Sequence, residues 1–152
     1  MKTKIIIGIV AFICGVLVAF YSEAFFRKQI QELYQWTTSS GIRFVGKDFY
    51  IFGDEFHYLS FGLSFSFFGL SNWTNKINLI VKNIILVLFI FGITLFCFSA
   101  IDAHLQISVC TACNDGTIKL HWNQIEYGNI LGTCSIISII PTGISLIKKG
   151  FE

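Results

Sequence analysis

From Ile5 to Tyr21 the chain carries no charge, with Lys2 and Lys4 in front and Glu23, Arg27 and Lys28 behind. A helix across a bilayer needs about 20 predominantly apolar residues, so the stretch reads as a span. It also has the outline of a secretory signal, with a basic start and small residues at Ser22 and Ala24; we read it as a retained anchor. Leu79 to Ala100 is the most apolar run, with Lys82 near enough to one end to snorkel to the headgroups. Gly128 to Ile147 closes the series and ends in Lys148-Lys149. It contains the chain's one proline, Pro141, which removes a helical hydrogen bond and is expected to kink the span.

Of the 152 residues, 54% are hydrophobic and 13% charged, against roughly a quarter charged in soluble domains. A chain this short holds a few spans and two loops, with no room for a separate catalytic domain. The net charge of +2 is spread without a basic stripe, which argues against direct nucleic-acid binding. Abundant Ile, 17 Phe and Lys in excess of Arg are marks of AT-rich coding, found in AT-rich bacteria and in horizontally acquired islands.

Phe56 to Trp73 (FHYLSFGLSFSFFGLSNW) is barely long enough to span, and Leu63 to Phe67 alternates like a strand. Orientation decides its reading. Cytoplasmic ends carry excess Lys and Arg, and both termini are basic, which asks for an even number of spans. With Phe56–Trp73 crossing, Lys76 and Lys82 fall inside, while Asp102, Asp115 and Glu126 fall outside against Lys119. Arg27, Lys28, Arg43 and Lys47 in the first outer loop run against this, partly offset by interleaved acids. The expectation is four spans, at about 5–22, 56–73, 79–101 and 128–147. Outer loops then cover 23–55 and 102–127, and both termini lie in the cytoplasm of a bacterial inner membrane.

Small residues suggest how the helices meet. Gly128, Gly132, Ser135, Ser138, Thr142 and Ser145 recur at intervals of three and four in the last span, as do Gly8, Ala11, Gly15 and Ala19 in the first. Lipid gives helices no hydrophobic drive to associate, so close approach through small residues is the usual means. These faces serve packing within one bundle or between subunits, and so small a bundle favours a homo-oligomer.

Two outer patches read as extended. Ile42–Val45 and Phe49–Phe52 around Gly46-Lys47-Asp48 suggest one hairpin; Leu105–Val109 and Thr117–Trp122 around Asn114-Asp115-Gly116 suggest another. Since a lone hairpin is marginal in water, the two are expected to join into one small sheet. Ala24 to Trp36 has apolar residues at helical spacing and either extends the first span or lies along the surface. The fold class expected is an all-α membrane protein, a four-helix transmembrane bundle with a small extracytoplasmic β-hairpin cap.

Cys110-Thr111-Ala112-Cys113 is the one motif with chemical content. In an oxidising compartment the pair is expected to close as a disulfide, with a redox-active dithiol, free thiols or metal as alternatives. The layout is similar to that of the quinone-reducing disulfide-forming enzymes of the bacterial inner membrane. That family needs a second cysteine pair in an outer loop, and residues 23–55 contain none; Cys134 lies inside the last span. Cys14 and Cys97 fall within apolar runs and read as small core residues. Cys110-x-x-Cys113 is half of a zinc spacing, and His104 and His121 flank it to offer four possible ligands in all; the histidines read instead as interfacial polar groups, so no metal or cofactor is expected. Asp54-Glu55 with His57 reads as a solvated boundary. No nucleophile, phosphate-loop or hydrolase signature is present, and the chain is not expected to be an enzyme.

The function expected is that of a non-enzymatic membrane subunit that self-associates and senses or recruits a partner. In span layout it is similar to the four-helix membrane component of the Kiwa phage-defence system, and the resemblance implies a cytoplasmic partner that itself binds DNA. Alternatives are an immunity protein against a pore-forming bacteriocin and a thiol-disulfide oxidoreductase using Cys110 and Cys113.

Overall fold

Helix α1 runs from Lys2 to Thr38 in a computed structural model that describes residues 2–38, 42–46, 54–109 and 118–150. Its 37 residues rise about 55 Å, so Ala24–Trp36 continues the first apolar run as one rod. Helix formers such as Gln29, Gln31, Glu32 and Leu33, with no proline among them, carry the helix past the charges. A single buried stripe descends it: Gly8, Gly15, Ala19, Glu23, Arg27, Ile30, Tyr34 and Thr38. Cys14 lies off that stripe and is exposed.

Strand β1 (Ile42–Val45) leads to helix α2 (Glu55–Asn72). Asp54 caps α2, its carboxylate accepting from the Phe56 amide at 3.0 Å. Asn72 ends it as a polar hub: its amide donates to the Phe68 carbonyl, and its Oδ1 accepts from Asn75 at 2.9 Å and Asn83 at 2.6 Å. Helix α3 (Ile77–Val109), strand β2 (Ile118–His121), a 3-10 turn (Trp122–Gln124) and helix α4 (Tyr127–Gly150) follow. Pro141 sits inside α4, which continues past it.

Helix α2 is central, packed on α1 along one side and α4 along the other, while α3 rests on α4 and α1. Gly8 faces Leu70 and Gly15 faces Phe61, so α1 and α2 are antiparallel. Ser64 meets Ser135 and Ser71 meets Thr142. Those pairs advance by seven residues on each helix, so α2 and α4 run parallel in constant register. The end where α1 begins and α2 finishes is the basic end, and the opposite end carries the sheet.

The sheet departs from the expected hairpins. Ile42–Val45 pairs in parallel with Ile118–His121, in the register Ile42 to Ile118 through Val45 to His121. Leu105–Val109 is not a strand but the last turns of α3; a short apolar run does not by itself distinguish the two, and propagation of an existing helix costs less than starting a strand. Phe49–Phe52 and Asn114–Gly116 lie outside the described residues. A parallel ladder this short needs docking to persist. It has that docking: Phe44 stacks on Trp122 at 4.0 Å and 6° and touches the Tyr34 ring, and Leu120 is buried.

Gly46 ends β1 at φ +84°, and a Cβ there would lie 2.2 Å from His121 Nε2. Gly46→Ala therefore strains the backbone and displaces His121. The expected loss is about 1–3 kcal/mol, confined to the cap, and read as faster amide exchange in both strands with the helices unchanged.

Three of the helices are long and apolar enough to cross a membrane: Lys2–Thr38, Ile77–Gln106 and Tyr127–Ile144. Only 11% of the apolar window is buried inside the chain in each of the first two, against 50% in α4. Helix α2 is shorter and carries Glu55, His57, four serines and Asn72.

Candidate functional site

The small residues singled out in the sequence turn toward α2 within this one chain. On α1, Gly15 brings its backbone so near that a Cβ would be 2.6 Å from the Phe61 carbonyl oxygen, and Ala11 lies opposite Gly69. Gly8 is looser, with 3.4 Å to Ser66 Oγ, and the carbonyl of buried Ala19 faces His57. On α4, Gly128 abuts Asp54 and Gly132 abuts Phe56 and Ser60. Ser135 Oγ is 2.8 Å from Ser64 Oγ, Ser138 donates to the Ser135 carbonyl, and the Thr142 carbonyl accepts from Ser71. The Ser145 side chain lies outside the described residues.

Toward the cap the buried stripe of α1 changes character, and here a polar cluster joins all four helices. Glu23 and Arg27 stand one turn apart on α1, both under a tenth exposed, with 3.8 Å between carboxylate and guanidinium. Tyr58 of α2 donates to Glu23 at 2.6 Å. The Arg27 guanidinium lies 4.1 Å over the Tyr127 ring of α4, a cation–π contact, and Gln31 donates to the Tyr127 hydroxyl at 2.9 Å. Further up, the Tyr34 hydroxyl donates to Asp102 of α3. A buried charge is expensive unless it is paired; Glu23 and Arg27 pair with each other, and each is met from another helix, Glu23 by the Tyr58 hydroxyl and Arg27 by the Tyr127 ring.

His57 belongs to the same level. It does not lie at the solvated boundary that the sequence suggests: it is 1% exposed, covered by Ala19, Tyr58 and an edge-on Phe61 ring 4.6 Å away. Its Nε2 lies 3.4 Å from the Ala19 carbonyl oxygen, and Nδ1 is buried without a hydrogen-bond partner. Asp54 and Glu55 remain exposed.

Burial and the neighbouring Asp102 carboxylate push the Tyr34 phenol well above its ordinary range, so it stays a donor. The folded state thus holds this proton more tightly than the unfolded chain. Its contribution is complete below the unfolded value of about 10 and fades as the pH rises beyond it. Thermal unfolding in detergent is expected to lose midpoint more steeply above about pH 10 in the parent chain than in Tyr34→Phe; parallel pH profiles would contradict this.

Sequence reasoning placed Glu23 and Arg27 in the first outer segment, on a stretch of helical spacing with no buried partner, and so missed the cluster. The signal was present: Glu23 and Arg27 continue the Gly8, Gly15, Ala19 stripe at helical spacing, and Ile30 and Tyr34 prolong it. Cys110 and Cys113 lie outside the described residues. Cys97, like Cys14, is exposed, and Cys134 is buried. His104 is exposed at the end of α3, whereas His121 caps the 3-10 turn through Nδ1, 3.3 Å from the Asn123 amide. Among the described residues no group of His, Cys, Asp and Glu is placed to hold a metal ion.

No family model, curated protein or solved structure matches this chain.

Proposed function

We propose that this is an integral protein of a bacterial inner membrane, crossing four times with both termini in the cytoplasm and a cap outside. Helix α2 serves as the fourth span. Its average polarity misleads, because Ser60, Ser64, Ser71 and Asn72 are buried against neighbours while Leu59, Leu63, Phe65 and Phe67 face outward. Tyr21 and Phe25 are exposed on α1 at the end of the first apolar run and suit the headgroup region.

Within that frame the chain acts as a non-enzymatic subunit that senses or recruits a partner through its cap. One observation carries the reading: Phe44 of the sheet touches Tyr34, and Tyr34 holds Asp102, in a cluster where all four helices meet. Anything that binds the cap and shifts Phe44 acts on the joint between helices. The span layout makes phage defence with a cytoplasmic partner the proposed setting, and self-association part of the mechanism. Since α2 occupies the small-residue faces, the exposed sides of α1 and α3 are left for self-association, and we assign it to that of α3.

The native Cys97 on that side gives a direct test. In inner-membrane vesicles from a Cys14→Ser chain, a bifunctional thiol reagent is expected to link Cys97 between copies, and mild detergent to release multimers with a cytoplasmic protein attached. A monomer without a companion, or Cys97 crosslinks no stronger than in a Cys97→Ser control, would sink the reading. Cys110→Ser with Cys113→Ser should leave assembly intact in either case; loss of function in that double variant would favour the thiol reading instead.

A further inference from the structure

A groove of about 530 Å³ opens between α1 and α2 at the basic end, within the roughly 300–1,000 Å³ range of ligand pockets. Its walls are Ile5, Ile9 and Phe12 on one side and Leu70 and Ser66 on the other, with Gly8 as its floor. Gly8 keeps the floor low, because a side chain there would stand against Ser66 and Leu70. Lys4 lies at the rim and is the one charged residue in the lining.

The charge around this groove is one-sided. The described acids are Glu23, Glu32, Asp54, Glu55, Asp102 and Glu126, all toward the cap. At the basic end, Lys2, Lys4 and Lys76 are exposed, and Trp73 is exposed in the turn after α2. An apolar slot with a lysine at its mouth and, among the described residues, no carboxylate nearby fits one kind of occupant: a hydrocarbon chain ending in an anionic headgroup.

We infer that this groove is a binding site for an anionic phospholipid of the cytoplasmic leaflet, one acyl chain lying along Gly8 and the phosphate resting on Lys4. The inference rests on the membrane reading above. Apolar walls alone would take the chain of any lipid; Lys4 makes the site select headgroup charge. Lipid held there bridges α1 and α2 at Gly8, where they approach less closely than at Gly15.

Native mass spectrometry of the full chain, released from vesicles of equal phosphatidylglycerol and phosphatidylcholine, tests this. The expected result is retention of phosphatidylglycerol about fivefold over phosphatidylcholine. Lys4→Gln should abolish that preference. Ile9→Trp, at a wall position 55% exposed, should reduce both lipids by filling the slot without touching the α1–α2 contact. Equal retention of the two lipids, adducts indifferent to both variants, or a second copy of the chain displacing lipid from the slot would each overturn the proposal. Carbonate washing of the same vesicles separates the two readings. A chain that washes off refutes membrane insertion, whereas one that stays without headgroup preference refutes only the lipid site.

Discussion

Replacing Arg27 by Met is expected to destabilise the folded chain by about 3–5 kcal/mol, the cost of leaving a buried charge without its counter-ion. Glu23 is 3% exposed and would keep only the Tyr58 hydroxyl as a partner among the contacts described above. The double variant Glu23→Gln with Arg27→Met removes both charges while Gln still accepts from Tyr58. It should recover most of the loss, because a buried pair contributes little over an apolar replacement although breaking one costs much. At 3.8 Å the pair is too long for a strong charge-assisted hydrogen bond, which strengthens that expectation. Unfolding in detergent, followed by Trp fluorescence and closed into a double-mutant cycle, measures it. If the double variant is as unstable as Arg27→Met, the charge pair is not what holds this level together.

Gly15→Ala is expected to wedge α1 and α2 apart, at a cost of about 1–3 kcal/mol. Its Cβ would sit 2.6 Å from the Phe61 carbonyl oxygen, 2.8 Å from Phe65 Cβ and 3.0 Å from Gly62 Cα. Two of these contacts are backbone, so relief requires α1 and α2 to move apart. Gly8→Ala is the control: its Cβ would meet nothing closer than 3.4 Å, and the gain in helix propensity, up to about 1 kcal/mol, makes it neutral or mildly stabilising. Comparable losses at the two positions would mean that the close approach at Gly15 is not maintained.

Much of the fold was legible before the structure, and the reason is local. An uncharged run of the length of Ile5–Tyr21 has few ways to satisfy its backbone other than a helix. The small-residue stripes were legible too, since spacing alone puts Gly8 and Gly15, or Ser135 and Thr142, on one face. Their partner was not. Helix α2 reads as the weakest segment because its serines and His57 lower its average, and only packing reveals that these groups are buried against α1 and α4 while its Leu and Phe residues face outward.

The cluster shows the same division. Charge at Glu23 and Arg27 reads as lying beyond the span because an isolated ion is costly to bury, and nothing local announces Tyr58 or Tyr127, which arrive from residues 35 and 100 positions away. The parallel ladder of Ile42–Val45 with Ile118–His121 is equally non-local, joining two loops that sequence reading paired each with itself. By itself, then, the sequence determined the helices, their apolar faces and the stripes through which they could meet, because these follow from periodicity over a few turns. Tertiary structure decided which faces met, which charges were buried and how the cap was strung. Those outcomes depend on partners far along the chain, whose groups alone offset the cost of taking polar atoms out of water.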